Sequence, residues 1–254
     1  MIYGLWQSVG GMQATEYRQA IMANNVANAD TVGFKHDIAI VRERDVASAS
    51  GPSGMGFRHA LLDHMTGGSL VSPTYTTFEQ GTAQASANPL DVLIQGNGFF
   101  KVQTADGERY TRDGRFTLGP DGVLRTVAGG HPVLNTSGSE IQLDASVPRE
   151  ALTIGSDGTI RQNGEDVGRF GIVDFENKQA LAKVGGNLFE AFGAEPQDAT
   201  GLVRSHMIEG STVNPVNGIT SMIEATRAYQ MNASLVQLQN ETLGRAVNDI
   251  GRIG

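Results

Sequence analysis

Carboxylates are the side chains of this chain best suited to acid–base chemistry, and several stand directly before a glycine. The pairs are Asp106-Gly107, Asp113-Gly114, Asp121-Gly122 and Asp157-Gly158. A glycan hydrolase needs two carboxylates held at a defined separation in a cleft. An aspartate before a turn glycine instead bonds its own backbone. We therefore predict that the chain is not an enzyme, and keep a secreted cell-wall glycan hydrolase with helical arms as the alternative.

The sequence offers weak candidates for metal or cofactor binding. His59 and His64 are five residues apart with Asp63 between them, whereas two histidines on one helical turn bind a metal at spacings of about three or four. Gly96-Asn97-Gly98 precedes Phe-Phe-Lys-Val, which is typical of a strand and not of the helix that a phosphate loop opens. The chain has no cysteine, which excludes thiolate chemistry. We predict no metal and no cofactor.

Charge is distributed unevenly along the 254 residues. The formal net charge is -8, which argues against a nucleic-acid partner. Residues 1–35 are neutral, residues 217–254 carry three charges of each sign, and the excess negative charge lies between them. The two ends therefore suit close packing, with a solvated body between them in the sequence. No apolar run approaches the length of about 20 residues that spans a bilayer, and no basic segment precedes the first apolar stretch, so we expect neither membrane insertion nor a cleaved signal peptide.

A heptad pattern near the end of the chain predicts a long helix. Spacings of 3 and 4 alternate along Ile219, Met222, Thr226, Tyr229, Ala233, Val236, Asn240, Leu243, Val247 and Ile250. Asn214-Pro215 marks the start, because asparagine caps helices and proline is tolerated at the first helical position. A helix of about 35 residues is about 50 Å long, so part of this apolar stripe should extend beyond the chain's own body and need another partner.

The first segment repeats the pattern more weakly. Its positions are Ile2, Leu5, Val9, Met12, Glu16, Gln19, Ala23 and Val26. Gly10-Gly11 lowers helix propensity by roughly 1 kcal/mol per glycine, and Gly33 is expected to end the helix. Ordering such helices opposes folding by about 1.5 kcal/mol per residue. We therefore predict that both ends are largely disordered in the monomer and fold on assembly.

The middle of the chain has the pattern of an antiparallel β structure. Short β-rich runs from Tyr75 to Ile208 are separated by Asp-Gly turns. Phe99, Phe100, Phe116, Phe170 and Phe175 are expected to form its core and not a ligand pocket. The predicted fold class is α+β, with discontinuous terminal helices forming a coiled-coil domain and an inserted antiparallel all-β body. The predicted ranges are 1–35 (N-terminal helix), 36–75 (connector of loops or short strands), 76–210 (β domain) and 211–254 (C-terminal helix).

Four motifs carry a resemblance to a known family. They are ANNVANADTVGFK from Ala23, NPLDVLIQGNGFFKV from Asn88, YTRDGRFTL from Tyr110 and EGSTVNPVNGITSMIEATRAYQMN from Glu209. In this order they resemble the flagellar rod and hook axial family, and the size is similar to that of the proximal and distal rod proteins. The choice between proximal and distal stays open, with a slight preference for the proximal one. Asn217 and Gly218 depart from the acidic residues that the family commonly places after Asn214-Pro215.

The resemblance implies a structural subunit of the bacterial flagellar basal-body rod. Such a subunit self-assembles head-to-tail into a helical tube that transmits torque and forms the export channel. Implied partners are copies of itself, other rod and hook proteins and the type III export apparatus, and the implied location is the periplasm-spanning rod. Asn24, Asn25 and Asn28 would lie in the last turns of the first helix, where their amides either bond backbone carbonyls or neighbouring chains, or merely help end the helix. The predicted assembly interface consists of Leu5, Val9, Met12, Asn24, Asn25, Asn28, Ile219, Met222, Tyr229, Val236, Leu243, Val247 and Ile250.

Overall fold

The structure, a computed structural model, describes residues 2–43, 68–148 and 151–250. The side chains of Ile2, Tyr3, Asp249 and Ile250 lie outside this description, as do residues 44–67, which make up most of the predicted connector. The helices are α1 (Ile2–Ala27) and α2 (Pro215–Ile250), and a 3-10 turn covers Lys178–Ala180. Within these described ranges, no helix is long and apolar enough to cross a membrane.

Short strands fill the rest of the described chain. They are β1 (Asp37–Ile38), β2 (Val41–Glu43), β3 (Ser69–Val71), β4 (Tyr75–Thr76), β5 (Ala83–Ala85), β6 (Val92–Gln95), β7 (Phe99–Thr104), β8 (Gly107–Thr111), β9 (Phe116–Leu118), β10 (Leu124–Thr126), β11 (Leu152–Ile154), β12 (Thr159–Gln162), β13 (Glu165–Arg169), β14 (Ile172–Phe175), β15 (Leu181–Gly185), β16 (Leu188–Ala191), β17 (Pro196–Asp198), β18 (Leu202–Ser205) and β19 (Met207–Glu209). Two helices and many antiparallel strands confirm the predicted α+β class.

The chain divides into two compact units. The helical unit contains residues 1–27, 37–75 and 214–254, and the β unit contains residues 28–36 and 76–213. Each unit is therefore assembled from segments that are far apart in the sequence. Residues 28–36 belong with the β unit, although they follow α1 directly.

The helical unit contains the two helices and the β2–β3 pair. The predicted start of α2 is confirmed: Pro215 is its first residue, and the Asn214 side chain accepts from the amides of Val216 and Asn217 at 3.1 and 3.2 Å. The helix has 36 residues, as the heptad pattern predicted. β2 and β3 pair antiparallel, with Val41 opposite Val71.

The first helix ends earlier than the sequence predicts. α1 stops at Ala27, and the chain then turns, with the Thr31 amide donating to the Asn28 carbonyl at 3.2 Å. Gly33 has a φ of +70° but lies beyond this turn, so it does not end the helix. The physical reason is that Gly33 is fixed by the β unit, where its amide donates to the Glu209 carbonyl at 2.7 Å.

The β unit is built on one larger antiparallel sheet. Its six strands lie in the order β15, β16, β8, β7, β14, β17. Alternation along β7 sends adjacent side chains to different apolar clusters: Phe100 and Val102 join the larger cluster, whereas Phe99 packs with Phe175 and Phe189. The five phenylalanines predicted to form the core are each at most 2% exposed, which confirms that prediction.

Candidate assembly interface

The carboxylates singled out in the sequence are engaged in local turns. The Asp113, Asp121 and Asp157 side chains each accept from the backbone amide two residues later, at 3.1 to 3.3 Å, as predicted for a turn role. A hydrogen bond from the Arg125 guanidinium holds the pKa of Asp121 below its usual value, and the Thr159 hydroxyl does the same for Asp157. A catalytic acid needs the opposite shift.

Metal-binding side chains show no cluster in the described part of the chain. Among those residues, no group of three or more His, Cys, Asp or Glu side chains is placed to hold a metal ion. His59, Asp63 and His64 lie outside the described residues.

The two helices pack antiparallel against each other. Neighbouring positions are Gly4 with Gln239, Gly11 with Asn232, Gln19 with Thr226, and Val26 with Gly218. As the position on α1 rises, the position on α2 falls, which defines the antiparallel direction. The side chains at these positions are mostly small or polar, so the backbones approach closely there.

Half of the predicted α2 stripe lies in this contact. Met222, Tyr229, Val236 and Leu243 are half-buried, whereas Ile219 and Val247 are 49% and 68% exposed. The second row of α2 positions in the contact was expected to include Ile219 and Val247. It instead lies one residue earlier in the chain. These residues are Gly218, Ala225, Asn232, Gln239 and Ala246. Ile250 lies beyond the described side chains.

Six other large apolar side chains of α2 remain exposed. The exposed residues are Val216, Ile219, Ile223, Met231, Leu235 and Leu238, with exposed fractions from 47% to 70%. At 3.6 residues per turn these positions spread over about 160° of the helix surface, centred on the side away from the α1 contact, and we name them the outer stripe. Arg227, Gln230 and Ser234 line a groove with its second half. Exposed apolar bands of this kind mark interaction surfaces.

The predicted interface residues of α1 divide into two groups. Leu5, Val9 and Met12 are half-buried, and their neighbour Trp6 is 68% exposed. Asn24 is exposed, and Asn28 lies just beyond the helix, where its side-chain oxygen accepts from the Thr31 hydroxyl at 3.1 Å.

Asn25 is committed to a contact within the helical unit. It is buried, its amide group donates to the Asp37 carbonyl at 2.7 Å, and its oxygen accepts from the Asp37 amide at 3.0 Å. The side chain thus pairs with β1 as a neighbouring strand would. In this structure Asn25 holds Asp37, the first residue of β1, to the end of α1.

Three buried charged residues form a cluster inside the β unit, which we name the charge cluster: Lys35, Arg112 and Glu209. Lys35 Nζ lies 2.5 Å from Glu209 Oε1, and Arg112 Nη1 lies 3.4 Å from Glu209 Oε2. Their side chains are between 0% and 3% exposed. Burial lowers the pKa of both cations, and the Glu209 carboxylate opposes that shift.

Sequence reasoning did not identify this cluster. The signal was present, because each residue is a charge inside one of the four motifs: Lys35 ends the first, Arg112 lies in the third and Glu209 begins the fourth. Spacing could not reveal it, since Lys35 and Glu209 are 174 residues apart.

Three regions of the chain match families of flagellar axial proteins. Residues 7–35 match the family described as flagella basal body rod protein. Residues 93–162 match the flagellar hook protein FlgE/F/G D1 domain, and residues 204–249 match the flagellar basal body rod FlgEFG protein C-terminal family. Each matched region contains one residue of the charge cluster.

Similar proteins share nearly the full length of this chain. The flagellar basal-body rod protein FlgF of Caulobacter vibrioides is 39% identical over 92% of this chain and 91% of its own length. FlgG of Bacillus subtilis, also a flagellar basal-body rod protein, is 31% identical over 98% of this chain and 99% of its own length. FlgF of Mesorhizobium japonicum is 32% identical over 97% of both.

Proposed function

Since this chain belongs to the flagellar basal-body rod protein family and is a structural subunit of that rod, we propose that it assembles through its two helices. In this proposal α1 and α2 of successive subunits pack into a continuous helical wall, as an elongated coiled-coil domain, and the β unit is an insertion carried on it. Head-to-tail contacts repeat without closing, so they generate a tube that transmits torque and encloses the export channel.

The observation that carries this proposal is the outer stripe of α2. Six large apolar side chains of α2 stay outside the contact with α1, although one row of apolar residues and one row of small or polar residues already fill that contact. Fully burying one large apolar side chain contributes about 1.5 to 3 kcal/mol. A chain that leaves several of them on one helix face gains this free energy only when another molecule covers that face.

The neutral ends support the same contact. Residues 217–254 carry three charges of each sign, so many copies can lie close together without accumulating charge. The excess negative charge lies in the middle of the sequence. Leu5, Val9, Met12 and Asn24 are proposed to contribute α1 contacts between subunits.

Partners and place follow from family membership. The chain belongs in the flagellar basal body with other axial proteins; we further propose self-association and passage through the type III export apparatus. The higher identity to the Caulobacter FlgF than to the Bacillus FlgG favours the proximal position. The hydrolase alternative has no support, because the family is one of structural proteins.

Replacing one residue of the outer stripe tests the assembly proposal. Leu235→Glu places a charge on the stripe, and we expect assembly to fall at least tenfold because a buried unpaired carboxylate is costly. The matched control is Leu202→Glu in β18, where a leucine of similar exposure, 50% against 47%, lies in the β unit. The measurement is sedimentation of concentrated protein, with electron microscopy of the pellet. Equal polymerisation of both variants and the parent would refute the role of the stripe.

A further inference from the structure

The chain passes between its two units four times, at residues 27/28, 36/37, 75/76 and 213/214. A load that passes along the chain from the helices enters the β unit through three β-unit segments next to these points. They are residues 28–36, the stretch from Thr76 to Gly81, and the stretch from Glu209 to Val213. None of these segments is a strand of the six-stranded sheet. They are therefore not held to it by strand pairing within that sheet.

The charge cluster contacts all three segments. Lys35 Nζ donates to the Glu79 carbonyl at 2.5 Å as well as to Glu209. The same carboxylate oxygen of Glu209 accepts from the Gly81 amide at 2.8 Å, and the Glu209 carbonyl accepts from Gly33. One buried glutamate thus bonds residues from the first and second segments while belonging to the third.

Arg112 connects this junction to the folded body of the β unit. Its guanidinium donates to the Gly96 carbonyl at 2.8 Å and, in a longer bond, to the Ile94 carbonyl at 3.3 Å. It also lies over the Phe99 ring, with 5.1 Å between Cζ and the ring centroid. Phe99 is a fully buried residue of β7, so Arg112 joins the cluster to the central sheet.

We propose that Lys35, Arg112 and Glu209 form the mechanical anchor of the β unit, which holds the three segments next to the chain crossings together so that they resist load as one body. This inference rests on the proposed function for its load. The residues act as positioning residues, since they hold the connecting backbone and contact no other molecule in the proposal.

The chemistry of buried charges explains why such an anchor is cooperative. Removing one partner of a buried ion pair leaves the other charge uncompensated, which is strongly destabilising. Two cations share one carboxylate here, so loss of Glu209 would leave Lys35 without its ion-pair partner and Arg112 with only the field of the Asp174 carboxylate. The three segments should therefore loosen together and not one at a time.

Native-state amide hydrogen exchange on the purified full-length chain tests the anchor. In Glu209→Gln we expect exchange at residues 33–36, 79–81 and 209–212 to accelerate together, by about a hundredfold, the scale for a broken buried pair. Amides of β7 and β8 should keep parental protection. Glu165→Gln, the same substitution at an exposed position of β13, should change neither set. Lys35→Met is the second variant and should loosen the same three segments.

Several outcomes would overturn the anchor. Faster exchange in only one of the three segments would contradict their coupling. Equally faster exchange in β7 and β8, or complete unfolding of both variants, would mean that the cluster is a general requirement of the fold and not an anchor. Exchange in the monomer does not depend on polymerisation, so this test fails or succeeds separately from the assembly test.

In cells carrying Glu209→Gln, we expect normal numbers of basal bodies but at least a twofold loss of swimming speed in viscous medium. Parental swimming speed would refute the mechanical role.

Discussion

At the scale of single residues, Gly33 shows how one position serves the whole β unit. A Cβ on this glycine would lie 2.5 Å from the Arg112 carbonyl carbon, and the φ of +70° already disfavours any L side chain. Close approach of this backbone to Arg112 brings Lys35, two residues later, into the charge cluster. The glycine is therefore required by the cluster and not by the end of α1.

The Gly33→Ala substitution separates these two effects. We expect it to destabilise the β unit by about 3 kcal/mol, because strain of roughly 1 to 2 kcal/mol from the positive φ adds to the clash. Gly130→Ala is the matched control, since Gly130 has a φ of +67° with nothing within 4 Å of its Cβ position. Urea denaturation followed by near-ultraviolet circular dichroism measures both. Similar losses in the two variants would mean that the contact with Arg112 has no energetic weight.

At the scale of elements, α2 presents different chemistry on its two faces. The face against α1 has Gly218, Ala225, Asn232 and Gln239, whereas the opposite face has the outer stripe. Small residues allow close approach, but they contribute little hydrophobic free energy. The helix pair thus leaves the large apolar side chains of the outer stripe uncovered, and the prediction that the ends fold on assembly requires such a surface.

Glycine replacements in α2 test the close approach. A Cβ at Gly218 would lie 2.5 Å from Val26 Cγ2, whereas one at Gly244 would meet nothing within 4 Å. Gly244→Ala should stabilise the helix by about 1 kcal/mol through propensity alone. In assembled protein, Gly218→Ala should lower the thermal midpoint of the helical signal at 222 nm, and the double variant Val26→Ala/Gly218→Ala should recover part of the loss. A rise in midpoint for Gly218→Ala would contradict the packing of α1 on α2.

At the scale of the whole molecule, each unit is built from distant parts of the sequence. The helical unit uses both chain ends, and the β unit takes residues 28–36 from between α1 and β1. Stability is therefore not expected to be uniform along the chain, because the buried phenylalanine clusters and the charge cluster lie in the β unit.

Limited proteolysis of the monomer tests this difference. We expect trypsin to cleave after Arg227 and Arg245 of α2 at least tenfold faster than after Arg161 of β12, although all three residues are exposed. The same α2 sites should be protected in assembled material. Mass spectrometry of the fragments with time gives the rates. Equal resistance at the three sites in the monomer would show that the helices are stable without neighbours.

Much of this protein is determined by local pattern in the sequence. The helix–β–helix order, the α2 start at Asn214-Pro215, the Asp-Gly turns and the buried phenylalanines were all predicted, because caps, turn chemistry and periodicity act between residues close together in the chain. The apolar row Met222, Tyr229, Val236 and Leu243 was recognised for the same reason, and its role between subunits stays a prediction.

Only the tertiary structure decided which second row of α2 meets α1, where α1 ends, and which charges meet in the core. A heptad pattern allows either of two neighbouring rows of α2 to face α1. The apolar side chains of Ile219 and Val247 favoured one row, whereas close approach of the α1 backbone favoured the row with Gly218 and Ala225. Lys35 and Glu209 meet across 174 residues because the folded β unit brings these two parts of the chain together in its interior. No local spacing encodes such a contact, since its free energy comes from burial that exists only after folding.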